Sequence, residues 1–259
     1  MATFLFDEII FGPVKSRRLG VSLGINLLPV DSKVCSFDCI YCECGRNPGQ
    51  RSSKASLPTR SEVKIKLEEV LKEMRSINRF PDVITFAGNG EPTLHPQFGH
   101  IIDDTIALRD LYTPHARIAV LSNATMLHRS SVFEALLKVD DNIQKLDSGV
   151  EDTVRIMDCP AANFSLSKTV SLLRKFEGKV TIQTMFIKAS YLGRNIDNTT
   201  ETEIEAWIEM LKEIKPSEVM IYTIARDTPV KTIEKVNLSR LNEIAKKVKK
   251  AGFKIQVSG

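Results

Sequence analysis

The chain has 259 residues, enough for one α/β barrel-type domain with a sizeable core. Its composition, 42% hydrophobic and 26% charged, is that of an ordinary soluble globular protein, and no stretch nears the roughly 18–20 continuous apolar residues of a membrane span. A net charge of +4 is too mild to argue for a nucleic-acid partner by itself, and five cysteines in a chain without an export signal argue against a disulfide framework.

The N-terminal residues Met1–Gly12 are apolar but carry Asp7 and Glu8 and lack a basic leading region, so a secretory signal is not expected and a cytoplasmic location is. Residues 1–19 read as a short N-terminal extension, and the whole of 1–259 as one domain. Short runs rich in Val, Ile and Thr predict buried strands at Gly20–Leu28, Asp82–Ala87, Ala116–Leu121, Asn142–Leu146, Lys179–Ile187, Glu218–Ile224 and Phe253–Val257. Between them, Val63, Leu67, Val70, Leu71 and Met74 share one helix face, as do Ile204, Trp207, Ile208, Leu211 and Ile214, and Leu241, Ile244, Ala245 and Val248. Apolar strands separated by amphipathic helices indicate an α/β fold with a parallel sheet and helices outside. Gly178 and Gly252 stand where helices hand over to strands.

The long irregular stretch from about 29 to 60 follows the first predicted strand and holds four of the five cysteines. It reads Cys35-Ser-Phe-Asp-Cys39-Ile-Tyr-Cys42-Glu-Cys44. Thiolates suit zinc, copper(I) and iron–sulfur clusters. Three spaced thiolates fit a cubane with one open corner. A structural zinc site with Cys44 as fourth ligand and a set of free buried thiols are the alternatives, although zinc ligands usually come as two separated pairs.

The string Cys-x-x-x-Cys-x-aromatic-Cys, with Tyr41 in the aromatic position, resembles the radical S-adenosylmethionine superfamily. The second strand ends in Gly88-Asn89-Gly90-Glu91-Pro92, which resembles that superfamily's glycine-rich glutamate motif. Ser122 and Asn123 close the third strand, Asp147 the fourth, while Gln183 and Tyr222 lie on the fifth and sixth. The resemblance implies a partial (βα)6-type barrel. It implies a 4Fe–4S cluster on Cys35, Cys39 and Cys42, and S-adenosylmethionine bound among Tyr41, Gly88, Asn89, Gly90, Glu91, Ser122, Asn123, Asp147, Gln183 and Tyr222. An electron from a flavodoxin or ferredoxin would cleave the cofactor to a 5′-deoxyadenosyl radical that takes hydrogen from a substrate. Glu91 reads equally as a loop anchor and as a ligand, and His95 as a structural group before an acid–base one.

Phe11-Gly-Pro-Val-Lys-Ser-Arg-Arg-Leu-Gly20 and the cysteine string are similar to the branch containing the wyosine-forming tRNA enzyme. The archaeal enzyme of that branch holds a second cluster with upstream cysteines, whereas no cysteine here precedes Cys35, and only Cys44 and Cys159 are spare. Lys15, Arg17, Arg18, Arg46, Arg51, Lys54 and Arg60 flank the cysteine loop, and together with the branch they favour RNA or a nucleotide-like substrate. The alternatives are modification or activation of a peptide or protein and, outside catalysis, a zinc-binding or nucleic-acid-binding module. Lys246, Lys247, Lys249 and Lys250 are spaced as the solvated face of a helix.

Overall fold

The computed structural model describes residues 4–16, 18–48 and 56–259. Arg17, Arg51 and Lys54 of the basic set lie outside them. The elements run β1 (Ile10–Ser16), β2 (Gly20–Ile25), α1 (Arg60–Ser76), β3 (Val83–Phe86), α2 (Phe98–Tyr112), β4 (Arg117–Ser122), α3 (Ser130–Leu136) and β5 (Asp141–Lys145). They continue as α4 (Glu151–Met157), α5 (Leu166–Arg174), β6 (Thr181–Met185), β7 (Ile187–Tyr191), β8 (Arg194–Asp197), α6 (Glu201–Ile214), β9 (Glu218–Tyr222), β10 (Glu234–Lys235), α7 (Leu238–Lys250) and β11 (Ile255–Ser258).

The main sheet has the order β1-β2-β3-β4-β5-β6-β9-β11. From β2 to β11 every neighbour is parallel, and only β1 pairs antiparallel at one edge. The fold is therefore α/β, a curled, mostly parallel half-barrel with six βα steps, and all seven expected strands lie in it. Two features were not expected. β1 is a strand although Gly12-Pro13 interrupts it, with a register shift between Phe11 and Val14. The expected strand Lys179–Ile187 is divided at Phe186, whose N–H turns to the carbonyl of Tyr222 at 2.8 Å. Beyond Phe186 the chain enters a separate antiparallel sheet, β10-β7-β8.

The helices form for local reasons as well as by packing. At α1, Thr59 and Glu62 make a reciprocal capping box, with the Thr59 N–H donating to Glu62 Oε2 at 2.7 Å. Val63, Leu67, Leu71 and Met74 then bury one face. Thr200 and Asn237 cap α6 and α7 by accepting the N–H groups of Glu203 and Arg240. On α7, Leu241, Ile244, Ala245 and Val248 face inward while Lys246, Lys249 and Lys250 are exposed, as the spacing predicts.

Side chains alternate across each strand. Ile84, Phe86, Ile118, Val120, Ile182, Val219 and Ile221 join the large core under the helices. The opposite face carries a smaller cluster of Leu19, Val83, Ala119, Ile143 and Met220. One step further towards the strands' C-terminal ends this inner face turns polar, with Lys145, Gln183 and Tyr222. An apolar floor below a polar mouth is the arrangement that puts chemistry on the loops at that end.

Candidate active site

The cysteine loop is fastened to the sheet at its start. Val34 forms a parallel bridge with Gly90: its N–H donates to the Asn89 carbonyl at 2.9 Å, and its carbonyl accepts the Glu91 N–H at 3.1 Å. A Cβ on Gly90 would stand 1.9 Å from the Val34 carbonyl oxygen, so only glycine admits this approach. The middle of the loop docks on the end of α4, with Asp38 N–H on the Asp158 carbonyl at 2.9 Å and Ile40 N–H on the Met157 carbonyl at 2.8 Å.

Two side chains close the loop on itself. The Lys33 ammonium, fully buried, donates to Asp38 at 3.1 Å and to the Gly45 carbonyl at 2.9 Å. Asn47 accepts the Cys35 N–H at 3.0 Å and donates to the carbonyls of Cys35 and Phe37 at 3.1 and 3.0 Å. All five cysteines are free.

The thiols differ in their surroundings. Burial, and then the Glu91 charge, pushes Cys35 up to about 12; burial raises Cys39 as well. A hydrogen bond from Cys44 brings Cys42 down to about 6, and the same bond, with burial, raises Cys44. For Lys33 burial works downward, but its interactions with Cys42, Cys35 and Cys39 and its bond to Asp38 outweigh it and its pKa rises. One buried cation thus faces three sulfurs, which suits three thiolates sharing a cluster. Among the described residues no three His, Cys, Asp or Glu side chains converge on a point for a single metal ion. A cubane needs no such convergence, since each iron takes one thiolate.

The turn after β3 is built around Glu91. Its Oε1 accepts from the Thr93 N–H at 3.0 Å and from the Thr93 hydroxyl at 2.5 Å, while Oε2 accepts the Asn123 N–H at 2.6 Å. Every described contact of this carboxylate is a structural one. Asn89 is likewise engaged: it accepts from Phe6 N–H and donates to the Phe6 and Pro29 carbonyls, each at 2.8 Å. The Gly88 and Asn89 carbonyls receive Cys44 and Val34. Beside them, Asn123 Nδ2 lies 3.6 Å from Cys35 Sγ and donates to the Ser36 hydroxyl at 2.9 Å, and Ser36 shares a 2.6 Å bond with Thr125. The Ser122 hydroxyl accepts the Ala124 N–H at 3.1 Å and shapes the same turn.

A second polar group lies under the loop. The Tyr41 hydroxyl donates to Asp147, which also receives Lys145, and Lys145 reaches Asp158 at 3.1 Å. Burial pushes the Asp158 carboxyl up to about 8. Burial alone would lower Lys145, but Asp147 and Asp158 hold it well above its usual value. The other Asp147 oxygen accepts the Met185 N–H at 2.8 Å, tying β5 to β6. Tyr222 packs against the apolar cluster that includes Ile40, Tyr41 and Met185, and Gln183 stands opposite Lys145 in the β5–β6 register.

The structure therefore gathers Cys35, Glu91, Ser122 and Asn123 on one side, and Cys39, Tyr41, Asp147 and Tyr222 on the other. Lys33, Asp38, Asn47 and Asp158 were not expected. Lys33, two residues before the first cysteine, is the one whose position gave a signal. His95 is buried: Nε2 lies 2.8 Å from the Pro58 carbonyl and Nδ1 accepts the Gln97 N–H at 3.1 Å, a structural arrangement. Of the basic rim, Arg46 donates to the Asp38 carbonyl at 2.6 Å and Tyr191 at 2.8 Å, and Arg60 makes a bidentate pair with Asp104 at 2.6 and 2.9 Å.

Comparison with known proteins supplies the family. Residues 30–190 match the model of the radical SAM superfamily. The chain is 31% identical over 252 residues to the GTPase Obg of Brachyspira hyodysenteriae, covering 96% of this chain but only 34% of that protein. It is 30% identical to the UPF0026 protein MJ1312 of Methanocaldococcus jannaschii, covering 91% of this chain and 70% of the relative. Among solved structures, a radical SAM methyltransferase from Sphaerobacter thermophilus shares the fold with a TM-score of 0.67 at 14% identity, over 92% of this chain and 65% of that one. Archaeal TYW1 shares it with a TM-score of 0.53 at 12% identity, over 89% and 72%. With the family match extending from the cysteine loop through the fifth parallel strand and into β7, the chain belongs to the radical SAM superfamily.

Proposed function

We propose that this chain, read as one domain over 1–259, is a radical enzyme whose Cys35, Cys39 and Cys42 hold a 4Fe–4S cluster beside S-adenosylmethionine. The observation that carries the reading is the Val34–Gly90 bridge, which sets the cysteine loop against the glycine turn at the C-terminal end of β3. When bound, this pair supplies reductive cleavage of the sulfonium to methionine and a 5′-deoxyadenosyl radical able to take hydrogen from a substrate.

The chain's own residues prepare the place. Lys33 offsets the negative charge of the three thiolates, and Asn47 and Asp38 hold the loop's backbone around them. Ser36, Asn123 and Thr125 offer hydroxyl and amide groups next to Cys35 for a carboxylate or ribose. Glu91 and Asn89 act by fixing the turn. Tyr41, joined to Asp147, holds the underside of the loop against β5. A flavodoxin or ferredoxin-type protein is the expected electron donor.

The test is anaerobic reconstitution with iron and sulfide, then dithionite and S-adenosylmethionine. Release of 5′-deoxyadenosine and methionine is expected, slowly without substrate. Methylthioadenosine in its place would overturn the reading, and a protein that takes zinc but no iron would support a zinc-binding module. For the substrate, the tRNA-modifying branch supports RNA or a nucleotide by analogy. Charge adds less to that choice than the sequence suggests, because Arg46 and Arg60 have carboxylate or backbone partners.

A further inference from the structure

Resting on the radical-enzyme reading, we infer that the substrate presents an oxyanion, a carboxylate or a phosphate, to Arg18 inside the half-barrel.

Arg18 sits in the turn between β1 and β2, and its backbone is fixed from both sides. The Ser16 hydroxyl accepts the N–H groups of Arg18 and Leu19 at 3.3 and 3.2 Å. The Arg18 carbonyl accepts Gln256 Nε2 at 3.3 Å. That last bond joins the β1–β2 end of the sheet to β11 at the opposite end, so the turn bridges the open seam of the half-barrel. From there the guanidinium reaches the ring of Tyr222, 4.3 Å from its centroid. Tyr222 packs against the apolar cluster that includes Ile40 and Tyr41 of the cysteine loop. The Arg18 charge thus lies between the seam and the underside of that loop.

One nitrogen of this guanidinium, Nη1, is buried and has no hydrogen-bond partner. It is the one orphaned buried atom on a cation among the described residues, the others belonging to Asn26, Thr113, Asp141, Gln144 and Trp207. A guanidinium cannot shed its proton to relieve the loss, and with Tyr222 beside the group, an acceptor oxygen on a bound ligand would satisfy Nη1. The other cation on this inner face, Lys145, already has Asp147 and Asp158. Elsewhere Arg60, Arg109, Arg155 and Arg240 each reach a carboxylate of the chain. Arg18 is thus a described cation with no carboxylate of the chain against it, and its planar fork matches the two oxygens of a carboxylate or phosphate. The oxyanion end of the substrate therefore enters the barrel and fixes the register of the rest.

The test uses the reconstituted holo-protein, saturated with S-adenosylmethionine and carrying 15N-labelled arginine side chains, in a buffer free of oxyanions. Inorganic phosphate and sodium acetate are titrated separately. One guanidinium resonance is expected to move saturably with at least one of them; phosphate alone points to a phosphorylated substrate and acetate alone to a carboxylated one. The response should vanish in both Arg18→Gln and Arg18→Lys, neither of which carries that guanidinium. The wild-type titration decides even if Arg18→Gln does not fold, because Arg18→Lys assigns the resonance by its disappearance. No saturable shift, or one that survives Arg18→Gln, overturns the inference. So does an affinity for S-adenosylmethionine about tenfold weaker in Arg18→Gln, which would give Arg18 to the cofactor's own carboxylate. Failure of the wild type to load iron overturns the radical-enzyme reading instead, and is seen before any anion is added.

Discussion

The Glu91 carboxylate accepts the Asn123 N–H at 2.6 Å, so the turn that ends β3 and the turn that ends β4 are one body. Burial raises the pKa of this group, and the bonds from Thr93 and Asn123 work against that rise. Glu91→Gln leaves one acceptor and turns an amide NH2 towards the Thr93 or the Asn123 backbone N–H, neither of which can accept from it. It should destabilise the apo-protein by about 1–3 kcal/mol in urea unfolding and loosen the Asn123 side of the site. Loss of S-adenosylmethionine binding with unchanged stability would show that Glu91 touches the cofactor directly.

The cysteines divide by role. Cys35→Ala, Cys39→Ala and Cys42→Ala should each lose the iron and sulfide, about four of each per chain, and the broad absorbance near 400 nm. Cys44→Ala and Cys159→Ala should keep them. A Cys44→Ala protein without iron, beside a Cys42→Ala protein with it, would reverse the ligand assignment.

Gly90→Ala places a methyl group in the space of the Val34 carbonyl and demands φ of +140° from a residue with a side chain. The bridge must open. We expect a loss of about 2–4 kcal/mol in unfolding free energy and a fall in iron content after reconstitution, with the far-ultraviolet circular dichroism unchanged.

His95 supplies a pH test. Burial lowers its pKa, and its Nδ1 accepts the Gln97 N–H, which the protonated ring cannot do. The folded pKa lies below the unfolded one, so the unfolded chain binds the proton first as pH falls. The stability this residue contributes is present above about pH 6.5 and is lost progressively below it. His95→Gln should flatten the acid limb of the stability curve and lower neutral-pH stability by about 1–2 kcal/mol, while deoxyadenosine release per bound iron stays unchanged.

Much of the scaffold was legible because its signals are local. Seven apolar runs bounded by turn residues became the seven parallel strands, and the faces of α1, α6 and α7 were visible in their spacing. β1 was hidden by Gly12-Pro13, and its pairing depends on β2 rather than on its own pattern. The β6–β7 division at Phe186 could not be seen either, since an unbroken run from Thr181 to Ile187 carries no mark of where its hydrogen bonds change partner. Within the site, the cysteines and the Gly88–Glu91 turn were readable as strings. The partners those residues bond to were not: Asn89 stands in a motif yet holds Phe6 and Pro29, 83 and 60 residues away. Asp158 joins Lys145 only because α4 ends beneath the cysteine loop, a contact with no trace in spacing.

The three hydrogen bonds of Asn47 to Cys35 and Phe37 bear on the protein's chemical ageing. Deamidation would replace the donating amide with a negatively charged oxygen, set against two carbonyls, and the loop around the thiols would open. That reaction normally starts when the next residue's backbone nitrogen attacks the side-chain carbonyl. Here the next residue is Pro48, whose nitrogen carries no hydrogen and cannot close the ring. The latch on the cysteine loop is thereby guarded against slow hydrolysis by its own neighbour in the chain.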